Sequence, residues 1–152
     1  MARLRLCETG PVNLEIRQFD RSDTDDIVAL WEGAGLTRPW NDPHLDIERK
    51  LAVQPELFLV AIDNDVIVGS VMAGYDGHRG WIYYLAVVPL RQGGGIGRAL
   101  VEEVETRLFR LGCPIVQLMV RTENREVLDF YAELGYEPFE VALAGKRLIT
   151  DG

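Results

Sequence analysis

Residues 92–98 of this 152-residue chain read Gln92-Gly93-Gly94-Gly95-Ile96-Gly97-Arg98. Glycine has no Cβ and tolerates positive φ, so successive backbone N–H groups in such a run can converge on one point. An apolar stretch ending at Val87-Val88 leads into the run, and helix-spaced apolar residues begin at Ile96. The first turn of that helix adds amides without acceptors and the positive end of its dipole. The chemistry this predicts is an anion cradle, with phosphate as the usual occupant. A second stretch, Arg38-Pro39-Trp40-Asn41-Asp42-Pro43, sets a tryptophan beside charged residues in a loop that its two prolines keep irregular. Two readings of Trp40 stand: a lining for a substrate pocket, or a plug between helices. Cys7 and Cys113 are far apart, and neither C-x-x-C nor H-x-x-x-H spacing occurs. That predicts a reducing compartment, with neither a disulfide framework nor a zinc site.

The elements that must position these residues follow from periodicity. Asn13 to Phe19 alternates apolar and polar residues, as a half-buried strand does. Ser22 with Asp25 predicts a capping box, and Ile27, Leu30, Trp31 and Ala34 then share one helical face ending near Gly35. Asp46 to Val53 predicts a short second helix. Leu57 to Ile62 is continuously apolar, so it reads as a strand buried on both faces. Asp63-Asn64-Asp65 turns it into an antiparallel partner over 66–73, and 74–80 turns again into a third strand, Trp81 to Val87. Ile96, Leu100, Val104, Leu108 and Leu111 define a long helix closed by Gly112, followed by a buried strand over 115–120. Asn124 caps a last helix carrying Val127, Leu128, Tyr131 and Leu134, and 137–149 predicts a terminal hairpin. The expected fold is α/β: one domain over residues 12–152 with a mixed, mostly antiparallel sheet, flanking helices and a central βαβ crossover. Residues 1–11 read as a disordered lead-in.

Composition narrows the partners. Sixteen basic against 24 acidic residues give a net charge of -8, which argues against general nucleic-acid binding. No stretch approaches the roughly 18 apolar residues of a membrane span, so no membrane partner is expected and the cytoplasm is the expected compartment. The glycine loop follows an antiparallel meander rather than the first strand of a parallel sheet, which disfavours a dinucleotide fold. Arg98-Ala99 stands where a Walker loop needs Lys-Ser/Thr.

Gln92-Gly93-Gly94-Gly95-Ile96-Gly97 resembles motif A, Q/R-x-x-G-x-G/A, of the GNAT superfamily of N-acetyltransferases. Asn124, Phe130-Tyr131 and Leu134-Gly135-Tyr136 are similar to its motif B, N…FY…LGF, at the usual distance. The strings around Trp40 and Gly145-Lys146-Arg147-Leu148-Ile149 look like the bacterial subgroup labelled YpeA acetyltransferases. The resemblance covers about residues 14–148 and implies acetyl-CoA as acetyl donor, an amine acceptor and direct transfer. It implies that the amides of Gln92 to Gly97, with Arg98 near, hold the diphosphate, and that the backbone of Leu85, Ala86 and Val87 meets the pantetheine arm. Asn124 binds cofactor or water, or only caps its helix. Tyr131 stands where many relatives carry the acid that protonates the leaving thiolate; the alternative is that it packs. With a thiol near 8.5 and a phenol near 10, that transfer is only mildly uphill from an ordinary tyrosine.

The two positions where relatives place a glutamate base are Trp81 and Met119 here. Asp76 or His78 remain as bases acting through water, against a plain role in their turn. Tyr83 and Tyr84 line the acceptor site, or only pack. Without a strong base, the resemblance implies a low-pKa amine, a peptide N-terminus or a small molecule, in preference to lysine. The alternative function is a non-catalytic acyl-CoA-binding sensor. A homodimer stays open as the assembly.

Overall fold

The computed structural model describes residues 13–151. The lead-in expected over residues 1–11, and Cys7 with it, lie outside them. Five strands form one sheet: β1 (Leu14–Gln18), β2 (Phe58–Asp63), β3 (Val66–Tyr75), β4 (Gly80–Val87) and β5 (Val116–Leu118), in the order β1-β2-β3-β4-β5. The first four are joined antiparallel, and β5 runs parallel to β4. The helices are α1 (Thr24–Gly33), α2 (Pro43–Leu51), α3 (Ile96–Arg110) and α4 (Arg125–Glu133). The architecture is the expected mixed sheet with flanking helices, and β4–α3–β5 is the βαβ crossover.

The sheet separates two cores. Leu59 and Ala61 of β2 pack with Ile96, Leu100, Val104, Leu108 and Tyr131 on the α3/α4 face. Phe58 and Val60, the alternate residues, pack with Ile27, Trp31 and Ile47 on the α1/α2 face. An apolar run without polar alternation therefore has apolar neighbours on both sides, as expected of β2. Asn64 and Asp65 both adopt positive φ (53° and 65°), the backbone that a two-residue hairpin turn with matching twist requires.

Local differences from the expectations each have a physical cause. The capping box is built by Asp20 and Asp23, not Ser22 and Asp25, because a single 3-10 turn precedes α1. Asp20 accepts the Ser22 N–H (3.0 Å), and Asp23 accepts the Asp20 N–H (2.8 Å). Helix α2 starts three residues early, with Asp42 as N-cap and Pro43 at its first position, where proline loses no intrahelical bond. Strand β5 is three residues long and only half-buried, since it is the sheet edge. Leu111, expected on the buried face of its helix, is half-exposed just past the end of α3. No strand forms over 137–151. That segment instead runs back to α2: Arg147 Nη2 donates to Asn41 Oδ1 (2.9 Å), and Asp151 takes the Asp42 N–H (3.0 Å) and pairs with Arg49 (2.6 Å).

Candidate active site

Strand β5 pairs with β4 only at Gly80, Trp81 and Ile82. Beyond Ile82, β4 keeps β3 on one side and has no strand on the other. Backbone polar groups left this way need another partner. A bulge accompanies the opening: Ser70 faces Ala86 and Met72 faces Tyr83, so β4 holds two residues, Tyr84 and Leu85, opposite one. Tyr84 sits there at φ 50°, a costly conformation for an aromatic residue unless its surroundings impose it. They do. Its ring stacks on Trp31 (centroids 4.0 Å apart) and its hydroxyl donates to Asp46 Oδ2 (2.6 Å). Burial first, and then this carboxylate, raise the Tyr84 phenol far above its ordinary pKa.

The opening is one end of a cleft of about 420 Å³. Its floor is Ile82 to Leu85. One wall is the α1–α2 loop, with Leu36, Arg38 and Asn41. The other runs from the end of β5 through Met119, Arg121 and Asn124 to Tyr131 on α4. Tyr131 is 7% exposed, held edge-on between Phe130 and Tyr136. No hydrogen-bond partner for its hydroxyl occurs among the described residues. Burial raises its pKa well above the usual phenol value. Its proton therefore stays in place throughout the neutral range, and giving that proton to a thiolate is steeper than from an ordinary tyrosine.

Past the end of β4, a 3-10 turn (Pro89–Arg91) leads into the glycine loop. Gly93 and Gly95 take φ of 84° and 91°, and a Cβ built on either would enter open space. The first helical bond after the loop runs from the Ala99 N–H to the Gly95 carbonyl (3.0 Å), so the preceding amides at the start of α3 have no intrahelical acceptor. Gly97 is small for another reason. A Cβ there would lie 3.2 Å from the Phe130 ring, so the glycine lets α3 and α4 approach closely. Gln92 donates Nε2–H to the Val87 carbonyl (3.1 Å), tying the loop to the strand end. Arg98 is exposed and spans 3.6 Å to Glu102. This cradle and the open side of β4 along Leu85, Ala86 and Val87, where Ala86 is paired with Ser70 and the Val87 carbonyl with Gln92, suit a diphosphate joined to an amide-bearing chain.

The remaining candidates sit elsewhere. Asp76 Oδ1 accepts the N–H groups of His78 (2.8 Å) and Arg79 (2.7 Å) at the β3–β4 turn, which hold its pKa below the usual range. Neither Asp76 nor His78 lines the cleft. Tyr83 does, with its phenol raised chiefly by burial. Trp40 is 50% exposed at the tip of its turn, so it is not the plug between helices. Its neighbours Arg38 and Asn41 form the wall instead. Asn124 Oδ1 accepts the Val127 N–H (3.4 Å) and so caps α4 while facing the cleft. The sequence reading missed Arg121 and Asn41. Position supplied the only signal for both: one follows the parallel strand's end, the other precedes a helix cap. A smaller hollow of about 270 Å³, beside Glu56, Arg107 and Arg110, holds none of these groups.

Comparison with known proteins meets this geometry. The sequence profile of the acetyltransferase (GNAT) family matches residues 23–136. An acetyltransferase of Pectobacterium atrosepticum is 52% identical over 138 residues, covering 91% of this chain and 98% of that protein. One of Yersinia pseudotuberculosis is 51% identical with the same coverage. Among solved structures, Ard1 from Thermoplasma volcanium superposes with TM-score 0.72 at 27% identity, covering 82% of each chain. AAC(6')-Iy, bound to a bisubstrate analogue of CoA, shares the fold with TM-score 0.75 at 18% identity, covering 90% of this chain and 99% of that one. A glycine cradle at the end of a strand with one open side, and relatives matched along nearly their whole length, lead to one assignment: the chain belongs to the acetyltransferase (GNAT) family, enzymes that take acetyl-CoA as their co-substrate.

Proposed function

We propose that this enzyme acetylates a primary amine of low pKa, a peptide N-terminus or a small-molecule amine, by direct transfer with Tyr131 serving the leaving sulfur. The observation that carries the reading is Tyr131: a residue more than nine-tenths buried, on the cleft wall, its hydroxyl without a partner among the described residues. A buried hydroxyl without an acceptor is costly, and a group arriving in the cleft relieves that cost.

Bound acetyl-CoA supplies a thioester whose carbonyl carbon accepts the amine. The amides of Gly93, Gly95, Ile96 and Gly97 hold the diphosphate, those of Gln92 and Gly94 being taken by the carbonyls of Pro89 (3.3 Å) and Arg91 (3.4 Å), with Arg98 and the Gln92 side chain at the loop's flanks. The open side of β4 along Leu85 to Val87 orients the arm, with Ala86 already paired to Ser70 and the Val87 carbonyl already taken by Gln92, and Asn124 presents its amide nitrogen while its oxygen caps α4. A C–N bond forms as the C–S bond breaks, and the proton lost by nitrogen balances the one gained by sulfur. Tyr131 donates its hydrogen bond to that sulfur and keeps its proton in the resting protein. Each unit of pKa elevation adds about 1.4 kcal/mol to a complete transfer, so Tyr131 works best when it is reprotonated as it gives.

Among the described residues no carboxylate lines the cleft, and Asp76 is committed to its turn. Asp76 and His78 are left with at most a water-mediated role, Tyr83 and Tyr84 with contacts to the acceptor, and Trp40, outside the cleft lining, with neither. With no strong base, the amine must arrive neutral. At pH 7 an α-amine near 7.8 is neutral about one time in seven, and a lysine near 10.4 about once in 2,500. Thiol release over a panel of amines tests the reading. Tyr131→Phe is expected to lower kcat about 10- to 1000-fold with little change in the KM for acetyl-CoA. An unchanged kcat would reduce Tyr131 to packing. The missing carboxylate also favours a second reading, a sensor that binds acyl-CoA without turnover; CoA binding with no amine acetylated would select it.

A further inference from the structure

We infer that the acceptor carries a carboxylate close to its amine, and that Arg38 and Arg121 recognise it. The inference rests on the transferase reading above and names the acceptor's class. The protein has eight more acidic than basic residues, yet among the described residues no aspartate or glutamate lines the cleft, and the two charged groups that do are both arginines. Arginine keeps its charge at any working pH and matches carboxylates with a planar fork of donors.

Six other arginines, at positions 17, 21, 49, 91, 98 and 107, are each paired with a carboxylate. Arg38 and Arg121 have no such partner among the described residues, nor have Arg79, Arg110, Arg125 and Arg147, but of these six only Arg38 and Arg121 line the cleft. The two differ in how they are held. Arg38 Nη1 donates to the carbonyls of Gly35 and Thr37, both at 2.9 Å, which fixes the guanidinium and leaves its other donors free. Arg121 makes no side-chain hydrogen bond to any described residue. They stand on opposite walls, one on the α1–α2 loop and one past β5, with Tyr83 and Tyr84 between them on the floor. Asp46, behind the Tyr84 floor, is occupied by the Tyr84 hydroxyl (2.6 Å) and Arg49 (3.2 Å). A cationic amine such as a polyamine would meet like charge from both walls. An amine with an adjacent carboxylate would meet two guanidinium forks in the same cleft that Tyr131 lines.

The shared chemistry has two sources, a small acidic amino-acid amide or the first residues of an acidic peptide. The test measures thiol release from acetyl-CoA with the α-amide of glutamic acid against glutamic diamide, whose amines both adjoin an amide and so keep a similar low pKa, an acidic-start peptide against its counterpart with amidated side chains, and spermidine. The expected result is a kcat/KM at least tenfold higher for the carboxylate member of one pair, and that pair identifies the source. Arg38→Gln and Arg121→Gln should erase the preference by raising the KM of the carboxylate acceptor about tenfold or more. The KM for acetyl-CoA and the rate on the carboxylate-free member should stay within about twofold. Calorimetry of the same acceptors in the presence of CoA gives the readout independent of turnover. Equal rates within both pairs, a preference for spermidine, or variants that raise only the KM for acetyl-CoA would overturn the inference and leave the transferase reading standing. No turnover on any amine would overturn both.

Discussion

Among single residues, the glycines of the loop divide into two kinds, and the sequence motif alone does not separate them. Gly95 needs its glycine for φ and for what approaches it, whereas Gly97 needs it for the Phe130 ring. Gly95→Asp therefore places a carboxylate in open space beside unpaired amides. Calorimetry should show at least a hundredfold loss of CoA affinity from repulsion and competition for the amides, in a protein that still folds. Tyr131 was legible from its place after Phe130, but its deep burial was not, because burial depends on how α4 packs against α3. For Asp76 the reverse holds. Its residue type suggested a base, and its two backbone partners show a turn former.

Among elements, the sheet order was readable from alternation and turn residues, while the bulge in β4 was not. Nothing in Trp81 to Val87 signals that Tyr84 turns over; Trp31 from α1 and Asp46 from α2 impose it. Behind that stack, the Trp31 indole N–H donates to Ser70 Oγ (3.0 Å), both residues being fully buried. Ser70→Ala orphans this donor, so urea unfolding should report a loss of about 1–3 kcal/mol. At the start of α1, Asp23 pairs with both terminal nitrogens of Arg17 (2.8 and 3.0 Å) and caps Asp20, which lowers its pKa. A carboxylate with a depressed native pKa stabilises the fold above its unfolded pKa near 3.9, and that stabilisation disappears as pH falls through the native value. Asp23→Asn should thus be less stable than the parent at pH 7, with the difference closing below about pH 4 in denaturant titrations. The terminal hairpin failed as an expectation because alternation in 137–143 states a preference without supplying a partner strand.

For the molecule as a whole, a ligand that bridges the end of β4 and the start of α3 must stabilise the fold that assembles them. At a hundredfold excess over Kd, acetyl-CoA should contribute about 2.7 kcal/mol and raise Tm by about 5–10 °C in a thermal scan, an increment that Gly95→Asp should abolish. Net charge, read from composition, describes the outer surface. The two arginines that line the cleft are a local exception that only the folded chain displays. The stretch after α4 has its own bearing on that interior. Contacts from Arg147 and Asp151 to Asn41, Asp42 and Arg49 stake one bank of the cleft to residues a hundred positions downstream, and they hold the Asp151 carboxyl at about 2. A purification handle fused behind Asp151, or a clone trimmed at 143, would therefore loosen the bank where the acceptor docks, and a weak acceptor KM measured on such material would describe the handle rather than the enzyme.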